Sequence, residues 1–346
     1  MTLLRTALLG AALLASCSAL AADKFKMAWS HYTGWEPWAY AEESGILKKW
    51  ADKYGIEIEL TLVNDYIESI NLYTAGQFDA CTMTNMDALT IPAAGGIDST
   101  ALIIGDYSAG NDGIVMRNAK TIADLKGKDV LLVELSVSHY LLARALEQHG
   151  MSERDIRVVN TSDADIASAF VAQKDVAVVT WNPPLQQVRQ VKNANLLFDS
   201  AKIPAEILDL TLVKTAADER FKKALTGAWY ETMAMMSDGG KAQKDALSAM
   251  ARSAGSTVAE FNAQLQTTQM FYQPADAVAV ANDNKLVDTM DNVRQFSFAK
   301  GLFGVGAKTV DHVGISFANG KVLGNTNNVK LRFDASYMEM ARDGKL

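Results

Sequence analysis

The chain has 346 residues, 49% hydrophobic and 21% charged, with a formal net charge of -7. That length predicts about two globular domains, and an acidic balance without a dense Lys/Arg block excludes broad binding to nucleic acid or anionic membrane. Only Cys17 and Cys81 are present, so there is no disulfide framework, and four scattered histidines give no zinc or haem site. No metal or other cofactor is expected.

Residues 1–22 read as a secretory signal: Arg5 gives a positive start, an apolar run too short to span a bilayer follows, and small residues come next. Two processing routes stay open. Leu14-Ala-Ser-Cys17 resembles a bacterial lipobox, which would leave a lipidated Cys17 anchored to a membrane. Ala19-Leu-Ala21 fits a small-x-small site that frees a periplasmic chain near Ala22 or Asp23.

Beyond the signal, Phe25–Trp29 reads as a strand, and a loop of aromatic and polar residues runs into a helix with Glu36 and Pro37 in its first turn. Ile56–Val63, Phe78–Met83 and Ala101–Ile104 are further strands, separated by helices at Ile67–Ala75 and Asp87–Ala94. Gly113–Met116 is the next strand. A second unit begins near Asn118, with strands at Asp129–Glu134, Ile156–Val159, Val176–Thr180 and Asn195–Phe198 alternating with helices. Leu208–Val213 re-enters the first unit, and mainly helical sequence follows from Asp218 to Phe298, then a Gly/Val/Asn-rich tail. Repeated strand–helix units predict α/β architecture with mainly parallel sheets. The expected organisation is 23–116 plus 208–346 as one lobe with a helical C-terminal extension, and 117–207 as the other, with crossings near 116–119 and 205–214.

Signatures of catalysis are missing: no Gly-x-Ser-x-Gly elbow, Walker A, dinucleotide fingerprint or His-Glu-x-x-His is present. Open parallel sheets bind ligands outside the carboxyl ends of their strands, and here those ends are rich in polar and aromatic groups. His31, Tyr32, Thr33, Trp35 and Glu36 follow the first strand; Asn64, Asp65 and Tyr66 follow the second. Thr84, Asn85 and Asp87 follow the third, and Asp106 to Asp112 the fourth. In the second unit Glu134, Ser136, Ser138 and His139 follow one strand, and Trp181 and Asn182 another. Each residue alone fits a cap or a turn. The coincidence across six strand ends predicts a binding cleft.

The opening from Phe25 to Trp38 resembles solute-binding proteins of ABC importers, of the nitrate, sulfonate, taurine and thiamine-precursor type. So do Ala75-Gly-Gln-Phe-Asp79, Asp124-Leu-Lys-Gly-Lys128 and the late Trp181. A closer resemblance, to the subgroup associated with urea-carboxylase or guanidine-carboxylase genes, rests on four stretches. These are His31-Tyr-Thr-Gly-Trp-Glu-Pro-Trp38, Asp106-Tyr-Ser-Ala-Gly-Asn-Asp112, Thr180-Trp-Asn-Pro-Pro184 and Asn328-Val-Lys-Leu-Arg-Phe-Asp334. The resemblance implies the type II periplasmic binding fold, two lobes closing on a solute by a hinge. It also implies a monomer that docks on a membrane permease and performs no chemistry.

The solute follows from charge. The strand ends hold Glu36, Asp65, Asp87, Asp106, Asp112 and Glu134 without a lysine or arginine, which suits a planar cation such as guanidinium through charge-assisted bonds and cation–π contact. Glu36, Asp112 and Glu134 are the expected carboxylate contacts, Trp35 and Trp181 the stacking walls. Urea, or a sulfonate, nitrate or pyrimidine-type solute, is the alternative, and a pyrimidine-precursor enzyme using His31 and His139 a reading of another class.

Overall fold

The computed structural model describes residues 22–346, so the signal segment and the lipidation expected at Cys17 lie outside the described residues. Four strands come first: β1 (Asp23–Trp29), β2 (Ile56–Leu62), β3 (Ala80–Thr84) and β4 (Ser99–Ser108). β1 pairs in parallel with β2 along its whole length and with β3 on its other side. The C-terminal half of β1 and all of β3 are buried, which suits strands covered by helices on both faces.

The chain then builds a second sheet from β5 (Asp112–Arg117), β6 (Asp129–Leu132), β7 (Arg157–Asn160), β8 (Val176–Trp181) and β9 (Ala194–Asp199), in the order β7-β6-β8-β5-β9. The first crossing falls at 109–111, one strand earlier than the 116–119 expected. Gly113 to Met116 had read as the last strand of the first unit, but β5 hydrogen-bonds antiparallel to β8 and β9. Gly110, at φ 114°, supplies the turn between β4 and β5.

β10 (Leu208–Lys214) returns to the first sheet, antiparallel between β3 and β4. β11 (Thr268–Met270) pairs with the end of β4. The glycine-rich tail supplies β12 (Gly314–Ser316), β13 (Val322–Leu323) and β14 (Val329–Phe333), which extend the same sheet beyond β4 to nine strands. The long helical stretch expected around Asp276 to Phe298 is two helices, Pro274–Asn282 and Asn284–Ala299.

The larger core lies beneath the first sheet, where Trp38 and Trp229 meet with ring centres 5.2 Å apart. Close packing there sets glycine positions: a Cβ on Gly227 would stand 2.3 Å from the Trp50 ring. The return crossing, 200–207, is gripped from both sides. Asn85 donates to the Glu206 carbonyl (3.1 Å) and accepts from Leu208 N–H (3.1 Å). From the second sheet's helix Val137–Gln148, the Tyr140 hydroxyl (2.6 Å) and Arg144 Nε (2.9 Å) donate to the Glu206 carboxylate.

Candidate functional site

The carboxyl ends of β1, β3 and β8 converge on a narrow cavity with free space of about 10 Å³, lined by Tyr32, Trp35, Tyr66, Thr84, Asp112, Val137, Trp181, Ile207 and Asp209. Loop geometry brings the aromatic walls there. After β1 the chain turns so that Trp35 and Glu36 N–H both donate to the Tyr32 carbonyl, which starts the helix Glu36–Glu43. Asp65 caps the helix that begins at Tyr66 by accepting from Glu68 N–H. The Tyr66 ring lies between the two tryptophans, 5.6 Å from Trp35 and 5.4 Å from Trp181.

The two sheets meet across the cavity. Trp181 Nε1 donates to the His31 carbonyl (3.3 Å), Tyr66 N–H to Asp163 (3.2 Å) and Ser162 Oγ to Asp65 (2.7 Å). These contacts hold the two sheets together beside the aromatic walls.

Beneath the aromatic walls lie Asp87, Asp106, Asp112 and Asp209, all essentially inaccessible. Asp87 accepts from the Tyr66 hydroxyl (2.6 Å) and Thr84 Oγ1 (2.8 Å), Asp106 from the Tyr32 hydroxyl (2.9 Å), and Asp112 from Ser108 Oγ (2.5 Å). Asp209 faces Asp106 across the β4–β10 pairing. Among the described residues, Asp87 Oδ1, Asp106 Oδ2 and Asp209 Oδ2 find no donor. Burial pushes Asp112 up to about 7 and Asp87 up to about 6. Burial raises Asp106 and Asp209 as well, and the charges of Asp106 and Asp112 push Asp209 further. The Tyr32 and Tyr66 hydroxyls, raised well above their ordinary value by burial and then by Asp106 and Asp87, remain donors. None of the cavity-lining residues is a lysine, arginine or histidine.

Several expected residues therefore gather at one place. Trp35, Asp112 and Trp181 line the cavity, with Asp87 and Asp106 one hydrogen bond behind it. Others do not. Glu134 is exposed on an open groove shared with Asp65, so it is not a buried carboxylate contact: its side chain points outward after β6 ends at Leu132. Glu36 is fully buried, with Oε1 2.7 Å from His31 Nδ1 and Oε2 unpartnered, and it is not among the cavity-lining residues. Asn85 clamps the return crossing. Ser136 caps the next helix and donates to the Val133 carbonyl, and the buried Ser138 hydroxyl has no partner. Asn182 N–H donates to Asn111 and its side chain reaches Thr267 (3.4 Å). The enzyme reading paired His31 with His139, but different carboxylates hold them: Glu36 for His31, and Glu153 at 3.2 Å for His139.

Tyr32, Tyr66 and Thr84 stood among the strand-end groups without being singled out. Asp209 was missed altogether, although it is the one carboxylate in the apolar run Leu208–Val213 and its alternation with Thr211 was the available signal. Gly34 belongs to the site too: a Cβ there would lie 2.2 Å from Asp106 Oδ2 and 2.5 Å from the Tyr32 ring. Gly34→Ala is expected to displace that carboxylate and weaken solute binding about tenfold, the order of one displaced hydrogen bond to a charged group. Equilibrium titration of the variant measures it, and unchanged affinity would contradict the placement.

A family model for NMT1/THI5-like proteins matches residues 48–223. The chain belongs to the NMT1/THI5-like family. Among curated relatives, a protein of Brucella abortus named as a binding protein is 27% identical over 161 residues, 46% of this chain and 48% of that one. The match thus spans about half the relative's length. An Escherichia coli protein named for binding aliphatic sulfonates is 42% identical over 64 residues, 18% of this chain and 20% of its own. Among solved structures, the alkanesulfonate-binding protein SsuA from Xanthomonas axonopodis pv. citri, bound to MOPS, superposes with a TM-score of 0.66 at 17% identity, covering 83% of this chain and 96% of that one. At that identity the likeness establishes the periplasmic binding protein fold for this NMT1/THI5-like chain. Among the described residues no helix is long and apolar enough to cross a membrane.

Proposed function

We propose that this protein is the extracytoplasmic solute receptor of an ABC importer, and that its solute is a small planar nitrogen-rich cation, guanidinium foremost. The observation that carries the reading is the set of four buried aspartates around an aromatic-walled cavity without a basic residue among its lining groups. Burying a carboxylate without a partner is costly, and one cation supplies several N–H donors to the oxygens that lack them. The flanking rings of Trp35 and Trp181 offer π faces to the same cation. A sulfonate or nitrate would bring a further negative charge against these aspartates, even though two of the proteins compared are named for sulfonates.

Urea is the second reading, favoured by the raised aspartates: in their protonated form they offer O–H donors to a neutral carbonyl. Lobe closure desolvates the solute and completes its bonds, and the closed face presents itself to a membrane permease. The receptor acts as a monomer in the periplasm, released after its signal or held through Cys17.

Calorimetric titration of the mature protein at pH 8 with guanidinium, urea, taurine and nitrate tests the solute. Guanidinium is expected to bind with the highest affinity; binding of taurine or nitrate without guanidinium would overturn the reading. Trp181→Ala is expected to weaken guanidinium about 30-fold, from a desolvated cation–π contact of about 2 kcal/mol. Trp181→Phe should recover part of that loss; equal losses in both variants would remove the ring face from the account.

A further inference from the structure

The Asp106–Asp209 pair has a donor deficit of its own. The two residues are register partners on β4 and β10, so their side chains stand on the same face of the sheet, and both are inaccessible. Two inaccessible carboxyls at directly paired positions, with Cβ atoms about 4.5–5.5 Å apart, repel each other unless a proton sits on one of them. Among the described residues the side-chain donor to the pair is the Tyr32 hydroxyl, 2.9 Å from Asp106 Oδ1, and both Oδ2 atoms lack one. Gly34 packs against Asp106 Oδ2 and the Tyr32 ring, and Trp229 packs against Gly105 beside Asp209. The titratable groups facing the pair are Tyr32 from the loop after β1, Asp112 from β5 and Tyr272 after β11. All are acidic or neutral, and among the described residues that line the cavity there is no lysine, arginine or histidine.

We propose that Asp106 and Asp209 share one proton in the solute-free protein and give it up to solvent when a cation enters, so that the site exchanges a proton for its solute. This inference rests on the cationic reading of the site. Two carboxylates so placed cannot both be charged without a cation between or beside them, as in any buried pair of like charges. The exchange balances: one proton leaves as one monovalent cation arrives, and the charge of the cavity stays constant. Below the pair's titration, cation affinity rises tenfold for each pH unit; above it, affinity levels off. The receptor would load in neutral surroundings and unload in acid ones.

Infrared difference spectra of the solute-free wild-type protein at pH 8, above the values of Asp87 and Asp112, should contain the band of a buried protonated carboxyl. Guanidinium should abolish that band, and Asp209→Asn should diminish it. Calorimetry in buffers of different ionisation heat should give about one proton released per guanidinium bound at pH 8, and less in Asp209→Asn. Guanidinium binding with neither band nor proton release would overturn the exchange and leave the solute reading standing. If guanidinium fails to bind at any pH, the solute reading falls and the exchange with it, while the band still decides whether the pair holds a proton. Both wild-type measurements are independent of whether the variant folds.

Discussion

Asp112→Asn is expected to weaken guanidinium binding at pH 8 by 100-fold or more, while making the solute-free protein more resistant to heat at the same pH. Asp112 lines the cavity, is inaccessible, and has Ser108 Oγ as its side-chain donor. A cation bound beside it would form a desolvated charge pair. Removing one member of such a pair costs about 3–5 kcal/mol, and each 1.4 kcal/mol is tenfold in affinity. The same charge is a liability when the cavity is empty, because Asp87 repels it and burial has already raised it to about 7. Asparagine keeps the shape and the hydrogen bond to Ser108 while removing the charge. Calorimetry and thermal melts measured together check this. Affinity within threefold of wild type would remove Asp112 from the site, and parallel loss of affinity and stability would mean a folding defect instead. Glu134→Gln is the contrast: its side chain is exposed, so the expected change is less than twofold.

The sequence made the strands readable where apolar runs were long, as in Val176–Trp181, and where helices with capping residues separated them. The tail defeated that reading because β12 and β13 are too short to display alternation and are recruited by pairing, not propensity. The aromatic half of the site was legible: Trp35 and Trp181 were each placed at a strand end, and both line the cavity on either side of Tyr66. Its acidic half was legible only in part. Asp106 lies near the carboxyl end of β4 and Asp112 opens β5, whereas Asp209 is at the amino end of β10, where ligands are not sought, and acquires its role from the register that sets it opposite Asp106. Glu134 shows the converse. It follows a strand, yet position along the chain does not fix which way a side chain points, and the β6 end turns it outward.

The solute-free protein is expected to lose stability as the pH rises from about 5 to 8, and saturating guanidinium should flatten that slope. The sign follows from linkage. A carboxyl whose folded pKa is raised binds more protons folded than unfolded between the two values, so its contribution is fully present below the unfolded value and is lost as pH climbs through the folded one. Asp87 at about 6 and Asp112 at about 7 act in this window, each displaced upward first by burial. Asp163, raised to about 6 by burial and then by Asp65, adds to them. His31 acts in the same direction: burial opposes its proton, but the hydrogen bond and charge of Glu36 prevail and raise it, so its share is also lost as pH rises. Carboxylates held low, such as Glu153 at about 2 through His139 and Lys300, lose their stabilising share only in stronger acid and leave the window unaffected. At about 1.4 kcal/mol per unit of displacement, these groups together contribute several kcal/mol. Thermal melts across the range test the sum. A melting temperature that rises from pH 5 to 8 without solute would mean that the aspartates are already paired with a charge inside the empty protein.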